Sequence, residues 1–143
     1  MSDMAAVHTD HAGLGVLSFE TCLEKLASVP VGRVGFMAAG EVEILPVNHV
    51  LDGQTVVFRT GIGSKLTGAF IGYPVTFEAD AYDARGGHGW SVVVHGHAEV
   101  VESGEEIRRL EGMRPGGWEG GDRPYWIRIR PFTVTGRRVP GPA

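Results

Sequence analysis

Three alternating runs joined by tight turns constrain this chain more than any other feature. GRVGFMA (32–38) turns at Ala39-Gly40 into EVEILPVNHV (41–50), and Asp52-Gly53 turns that run into QTVVFRT (54–60). This is hairpin spacing, too short for a crossover helix, so the segment is committed to an antiparallel meander. PVTFEADAYD (74–83), WSVVVHGHAEVV (90–101) and YWIRIRPFTVTGRRV (125–139) also alternate, and in the last of them Tyr125, Ile127 and Ile129 share one face. None of the six runs alternates with helices as βαβ units. The fold class that follows is mainly β, a closed or nearly closed antiparallel barrel with short flanking helices. A small barrel fills its interior with its own side chains, so a large ligand belongs outside it or between two subunits.

The helices are short. Ser18 caps a pattern in which Cys22, Leu23, Leu26 and Ala27 share a face, with Thr21 where a capping box has Glu, and Pro30 stops it. Leu66, Ala69 and Phe70 give a second short helix. Ser103 with Glu106 matches a capping box at the head of SGEEIRRLEG. Residues 112–124, rich in Gly and Pro, read as a loop containing Trp118. Residues 1–13 have no apolar core flanked by positive charge and read as a flexible tail, with His8 and His11 in solvent, leaving 14–143 as one domain.

Charge excludes some partners. With 13 basic and 17 acidic groups the net charge is −4, no dense Lys/Arg run appears, and nucleic acid is not expected. No apolar run approaches the roughly 20 residues that span a bilayer, so no membrane partner is expected. The single cysteine, Cys22, rules out an internal disulfide framework and suits a cytoplasmic setting.

One stretch asks for an anion. In FRTGIGSKL (58–66) a strand ends in Arg59-Thr60, passes two glycines and meets Ser64-Lys65 where a helix begins. Alternation puts Val56, Phe58 and Thr60 on one face and Thr55, Val57 and Arg59 on the other, with Arg59 outside. Gly61 and Gly63 let the backbone approach a ligand closely. Ser64 and Lys65 stand where unpaired N–H groups and the helix dipole favour negative charge. Arg offers a planar fork and Lys a point charge, which together suit a terminal phosphate. The alternative is a strand–turn–helix with two solvated surface charges. Neither a P-loop nor a GxGxxG fingerprint is present.

His95, His97 and Glu99 share a strand face. Such a trio can bind a metal, but a polar outer face matched by Thr76, Glu78 and Asp80 is the simpler reading, and no metal site is expected. His49 lies beside Asn48, near the cleft rim by sequence proximity alone.

The order VGRVGF (31–36), LPVNHVLDG (45–53), VVFRTGIGSKL (56–66), VTFEAD (75–80), GWSVVVHGHAEVV (89–101) and WIRIRPFTVTGRR (126–138) resembles the pyridoxamine 5′-phosphate oxidase-like family over residues 16–139. The resemblance implies a split antiparallel barrel, a homodimer, and FMN in the two clefts between subunits. Carried over by position, Arg59, Thr60, Ser64 and Lys65 would hold the FMN phosphate. Pro46, Val47 and Asn48 would run along the isoalloxazine ring and offer it backbone groups. Trp90 and Ser91 would cross the cleft from the partner subunit, whereas Trp90 without the resemblance reads as a plug at the barrel end. Trp126 reads as structural, on the outer side of the last strand.

The implied function is an FMN-dependent oxidoreductase of unassigned substrate, in which the flavin carries the redox chemistry and no acid, base or other catalytic residue of the protein is singled out. Arg137 and Arg138 do not match the C-terminal basic motif that grips pyridoxamine phosphate in the enzyme proper, so pyridoxal phosphate synthesis is not implied. Two alternatives stay open. One is a reductase using the deazaflavin coenzyme, whose acidic tail would call on Arg108, Arg109, Arg114 or Arg123. The other is a non-catalytic flavin or haem carrier or sensor.

Overall fold

The computed structural model describes residues 8–9, 14–61, 73–113 and 125–139. Its strands are β1 (His8–Thr9), β2 (Gly15–Val16), β3 (Val31–Ala38), β4 (Glu41–Asp52), β5 (Thr55–Thr60), β6 (Pro74–Asp83), β7 (His88–Val100) and β8 (Tyr125–Val139). Two helices are described, α1 (Phe19–Ala27) and α2 (Gly104–Glu111). All pairings are antiparallel, in the order β1-β2-β8-β5-β4-β3-β6-β7, and β7 pairs back with β8 to close six strands into a ring. The six expected strands are these six. The expected helix at 66–70 lies outside the described residues, as do the loop from 114 on and most of the tail. Within the tail, His8–Thr9 pairs with Gly15–Val16.

Alternation fills the ring. Val34 and Phe36, Val56 and Phe58, Val75, Phe77 and Ala79, Val92 and Val94, and Ile127 and Ile129 all turn inward to one buried cluster. Gly32 is part of that packing, because a Cβ there would collide with the Phe77 ring. The end of the ring is capped by α1. Ser18 Oγ accepts the Thr21 N–H at 3.1 Å as the cap expected for this helix, and Cys22 and Leu26 point into the core.

A second core lies on the outside. Val57 and Trp126 face away from the interior, and α2 lays Leu110 over them, with Val101 completing the cluster. The Ser103 cap forms, its Oγ accepting the Glu106 N–H at 3.3 Å. The Glu106 carboxylate does not return to the cap. It accepts instead from Arg128 Nη2 at 3.0 Å. Arg128, opposite Val57 in the sheet, also donates to Asp52 Oδ2 and Thr55 Oγ1, each at 2.7 Å, and Arg109 joins the same Asp52 at 2.7 and 2.9 Å. Thus α2 is held by an apolar patch and by a pair of arginines sharing two carboxylates.

Candidate functional site

The ring is incomplete at one seam. The β4–β5 ladder runs from Asp52↔Thr55 to His49↔Phe58 and stops there. Beyond that point β4 continues from Asn48 to Glu41 on β3 alone, and Arg59 and Thr60 continue on β8 alone, opposite Trp126 and Tyr125. The His49 N–H donates to Pro30 O at 3.0 Å on the β3 side. Backbone groups alternate sides along an antiparallel strand, so those of Val42, Ile44 and Pro46 turn the other way. No described strand pairs with them there.

Side chains at the seam have distinct roles. Val47 turns into the core. Asn48 is nine-tenths buried, and its Oδ1 has no hydrogen-bond partner among the described residues. An orphaned buried acceptor costs about 1–3 kcal/mol, which a ligand donor would recover. The buried Thr60 ends β5. Arg59 stands on the outer face, as alternation predicts, with its guanidinium carbon 5.7 Å from the centre of the Trp126 ring. Trp126 is itself fixed by its Nε1–H, which donates to Glu111 Oε2 at 3.0 Å. A chain of contacts from α2 through Trp126 therefore positions the Arg59 cation. Pro46, Val47 and Asn48 of β4 and Arg59 and Thr60 of β5 thus lie on the two sides of the point where the ladder stops, while Ser64 and Lys65 lie outside the described residues.

Trp90 and Ser91 are elsewhere on the protomer. They sit on β7 opposite Ala81 and Asp80, across the ring from the seam. Trp90 packs against the core at the barrel end, with Lys25 of α1 5.9 Å from its ring centre, while Ser91 takes the outer face. His49 does not reach the rim suggested by its neighbour. Alternation from Val47 to Leu51 turns it inward, where Nε2 meets Leu26 O at 2.8 Å and the ring meets Phe77 edge-on. That carbonyl fixes the hydrogen on Nε2, and burial lowers the imidazole pKa.

The β7 trio forms the polar outer face expected of it. His95 Nδ1 pairs with Thr76 Oγ1 at 3.0 Å, the His97 ring meets that of Phe132 at a tilt, and Glu99 accepts twice from Arg130 at 3.1 Å. Among the described residues no group of His, Cys, Asp and Glu is placed to hold a metal ion. Arg109 is committed to Asp52 and Arg108 is exposed, while Arg114, Trp118 and Arg123 lie outside the described residues. No described helix is long and apolar enough to cross a membrane.

One cluster escaped the sequence reading in part. Glu78 and Asp80 are two apart on one face of β6, and Arg33 of β3 joins them, its Nη1 3.6 Å from Glu78 Oε1 and 3.8 Å from Asp80 Oδ2. Burial, then the neighbouring Asp80 carboxylate, pushes the Glu78 carboxyl up to about 7 against the opposing pull of Arg33. The signal was the lone Arg inside VGRVGF, whose partner on the neighbouring β6 lies 45 residues further along the chain, where no local pattern identifies it.

Known proteins resemble this chain in sequence and fold. The model of the family described as pyridoxamine 5′-phosphate oxidase matches residues 18–138. An uncharacterized protein of Mycobacterium tuberculosis, Rv0080, is 36% identical over 86% of this chain and 84% of its own. The structure of the FAD binding protein from Mycobacterium smegmatis is 34% identical with a TM-score of 0.76, covering 87% of this chain and 98% of that one. A structure from Corynebacterium glutamicum is 30% identical with a TM-score of 0.77, over 95% of this chain and all of the other.

Proposed function

Because the chain belongs to the pyridoxamine 5′-phosphate oxidase family, we propose that it is a flavin-binding protein whose cofactor lies in the β4–β5 seam, and that it works as an FMN-dependent oxidoreductase in a homodimer. The carrying observation is the end of the β4–β5 ladder at His49↔Phe58. It leaves β4 backbone without a partner among the described strands, with the orphaned Asn48 Oδ1 and the Trp126-held Arg59 on the two sides of that point. This donor and acceptor set fits a flavin, which carries a phosphate and a hydrogen-bonding ring edge.

Arg59 and Thr60, with Ser64 and Lys65 from the adjoining segment, hold the phosphate by charge and hydrogen bonds. Pro46, Val47 and Asn48 orient the ring, and Asn48 Oδ1 accepts a hydrogen from it. When bound, the flavin supplies two-electron redox chemistry. The protein's part is to orient it, shield one face from water and place the Arg59 cation near the anionic end. Trp90 and Ser91 close the cleft from the partner subunit. The outward face of β3 and β4, where Met37, Val42 and Ile44 are 50%, 69% and 65% exposed, supports the pairing of two copies.

FAD is a second reading, favoured by the 34%-identical protein from Mycobacterium smegmatis that is described as binding it. The test is an absorption spectrum of the purified protein, followed by denaturation and mass determination of what is released. Flavin bands with a released mass of FMN support the first reading, and the mass of FAD supports the second. A colourless protein that takes up neither FMN nor FAD overturns both, and uptake of the deazaflavin coenzyme alone would replace them.

A further inference from the structure

The strand register lines up one row of residues across the outer face of the sheet. Pro46 of β4 stands opposite Arg33 of β3, Arg33 opposite Glu78 of β6, and Asp80 of β6 opposite Ser91 of β7. In the reading above, Pro46 belongs to a protomer's own cleft and Ser91 reaches its partner's. The Arg33, Glu78 and Asp80 cluster lies between them. Beside it, Met37, Val42 and Ile44 share the outer face of β3 and β4 with Arg33, and all are exposed. An apolar patch next to a cluster holding both signs of charge is self-complementary, as a twofold contact requires, because each copy presents the same surface to the other.

We propose that a second copy of this chain covers this face, and that association takes up protons at the Glu78–Asp80 pair, so that the dimer loosens as pH rises through neutrality. This rests on the homodimeric reading of the cleft and adds its regulation. Charge counting gives the reason. Arg33 supplies one positive charge against two carboxylates, so full ionisation leaves each cluster with net charge −1. A twofold contact brings two such clusters together while removing the water that screens them. The groups facing Glu78 are Arg33 from β3, Asp80 and Thr76 from β6, and Ser91, Val93 and His95 from β7. Of these Arg33 contacts both carboxylates, and the Asp80 carboxylate opposes its effect on Glu78. The Glu78 carboxyl already exchanges its proton near pH 7 in the protomer, and covering the face favours the neutral form further.

The experiment is sedimentation equilibrium of the full chain from pH 6 to pH 8, with flavin absorbance read in the same cells. Two Glu78 carboxyls per dimer, each contributing up to tenfold per pH unit above its titration point, give a dimer dissociation constant about a hundredfold weaker at pH 8 than at pH 6. Glu78→Gln, which cannot ionise, is expected to hold the pH 6 affinity up to pH 8. Ile44→Asp is expected to abolish the dimer at pH 6. A wild-type dimer of unchanged affinity across this range, or a Glu78→Gln variant with the wild-type pH dependence, overturns the proton uptake. An Ile44→Asp protein that stays dimeric overturns the choice of face. A chain that is monomeric throughout overturns this inference and the homodimeric reading together, while the absorbance reports the cofactor reading separately.

Discussion

Replacing Asp52 by Asn is expected to cost more stability than replacing Arg128 by Met, although the second change removes more hydrogen bonds. The Arg128 side chain is only 4% exposed, and its charge is answered by Asp52 at 2.7 Å and Glu106 at 3.0 Å. Asp52→Asn leaves that buried cation with one carboxylate. Loss of a charge-assisted bond to a buried group costs about 2–3 kcal/mol. The two bonds from Arg109 to Asp52 add little, because Arg109 is half exposed and its charge is screened. Arg128→Met removes the buried charge itself. Its carboxylates retain contacts with Arg109, at 2.7 Å for Asp52 and 3.7 Å for Glu106. An apolar side chain of similar length then packs beside Val57, so the net change is expected to stay within about 1 kcal/mol.

The two variants also differ in acid. The Arg109 guanidinium, aided by Arg128 and opposed by burial, holds the Asp52 carboxyl well below the usual carboxylate range. A carboxyl with a depressed folded-state pKa stabilises the fold above its unfolded value of about 3.9, and that contribution is lost as pH falls further. Below about pH 4 the gap between the wild-type and Asp52→Asn curves should therefore begin to narrow, and it closes only below the depressed folded-state value. The assay is urea unfolding followed by tryptophan fluorescence at equal protein concentration and fixed cofactor, at pH 7 and in steps down to pH 3. An Arg128→Met protein as destabilised as Asp52→Asn, or a gap between Asp52→Asn and wild type that is no smaller at pH 3 than at pH 7, refutes the reasoning.

Three further outcomes are expected. Arg59→Ala and Lys65→Ala should each weaken flavin binding by about 1.5–3 kcal/mol, one charge-assisted phosphate contact apiece, measured by fluorescence titration; unchanged affinity in both removes the phosphate site. Gly32→Ala should destabilise by about 1–3 kcal/mol through its collision with Phe77, and by less in a Phe77→Leu background, though a residual clash with the Glu78 carbonyl keeps the rescue partial; equal costs in both backgrounds contradict the contact. His49 is held neutral by burial, so the stability linked to it is present above its unfolded pKa of about 6.5 and is lost as pH falls below that value. A His49→Gln protein should show a flatter stability curve between pH 6.5 and 5, and a slope equal to wild type would exclude His49 as its source.

The strands were legible because period two and the turns act locally, although the second turn falls at Gly53-Gln54, one residue beyond the expected Asp52-Gly53. The same rule put Val57 on the outward face with Thr55 and Arg59, where it stands, but gave no sign that it is fully buried there, since α2 covers it. A helix's amphipathic face is readable in Ile107 and Leu110, but the address at which it docks is not. Arg128 and Asp52 meet across 76 residues, a distance no local signal spans. At the proposed site, register sets Pro46–Asn48 and Arg59–Thr60 on the two sides of the point where the β4–β5 ladder ends, a relation that no local pattern in either run states. His49 was misplaced by proximity when alternation from Val47 already turned it inward.

The double burial of β5 and β8 has a consequence for how the molecule opens. The platform that α2 covers exists only once β5, from the first half of the chain, has paired with β8, from its end. Helix docking therefore depends on ring closure, while the ring can stay closed without the helix. The hydrogen-bonded amides of α2 should exchange with deuterium no more slowly than those of β5, and any event that parts β5 from β8 should release both together.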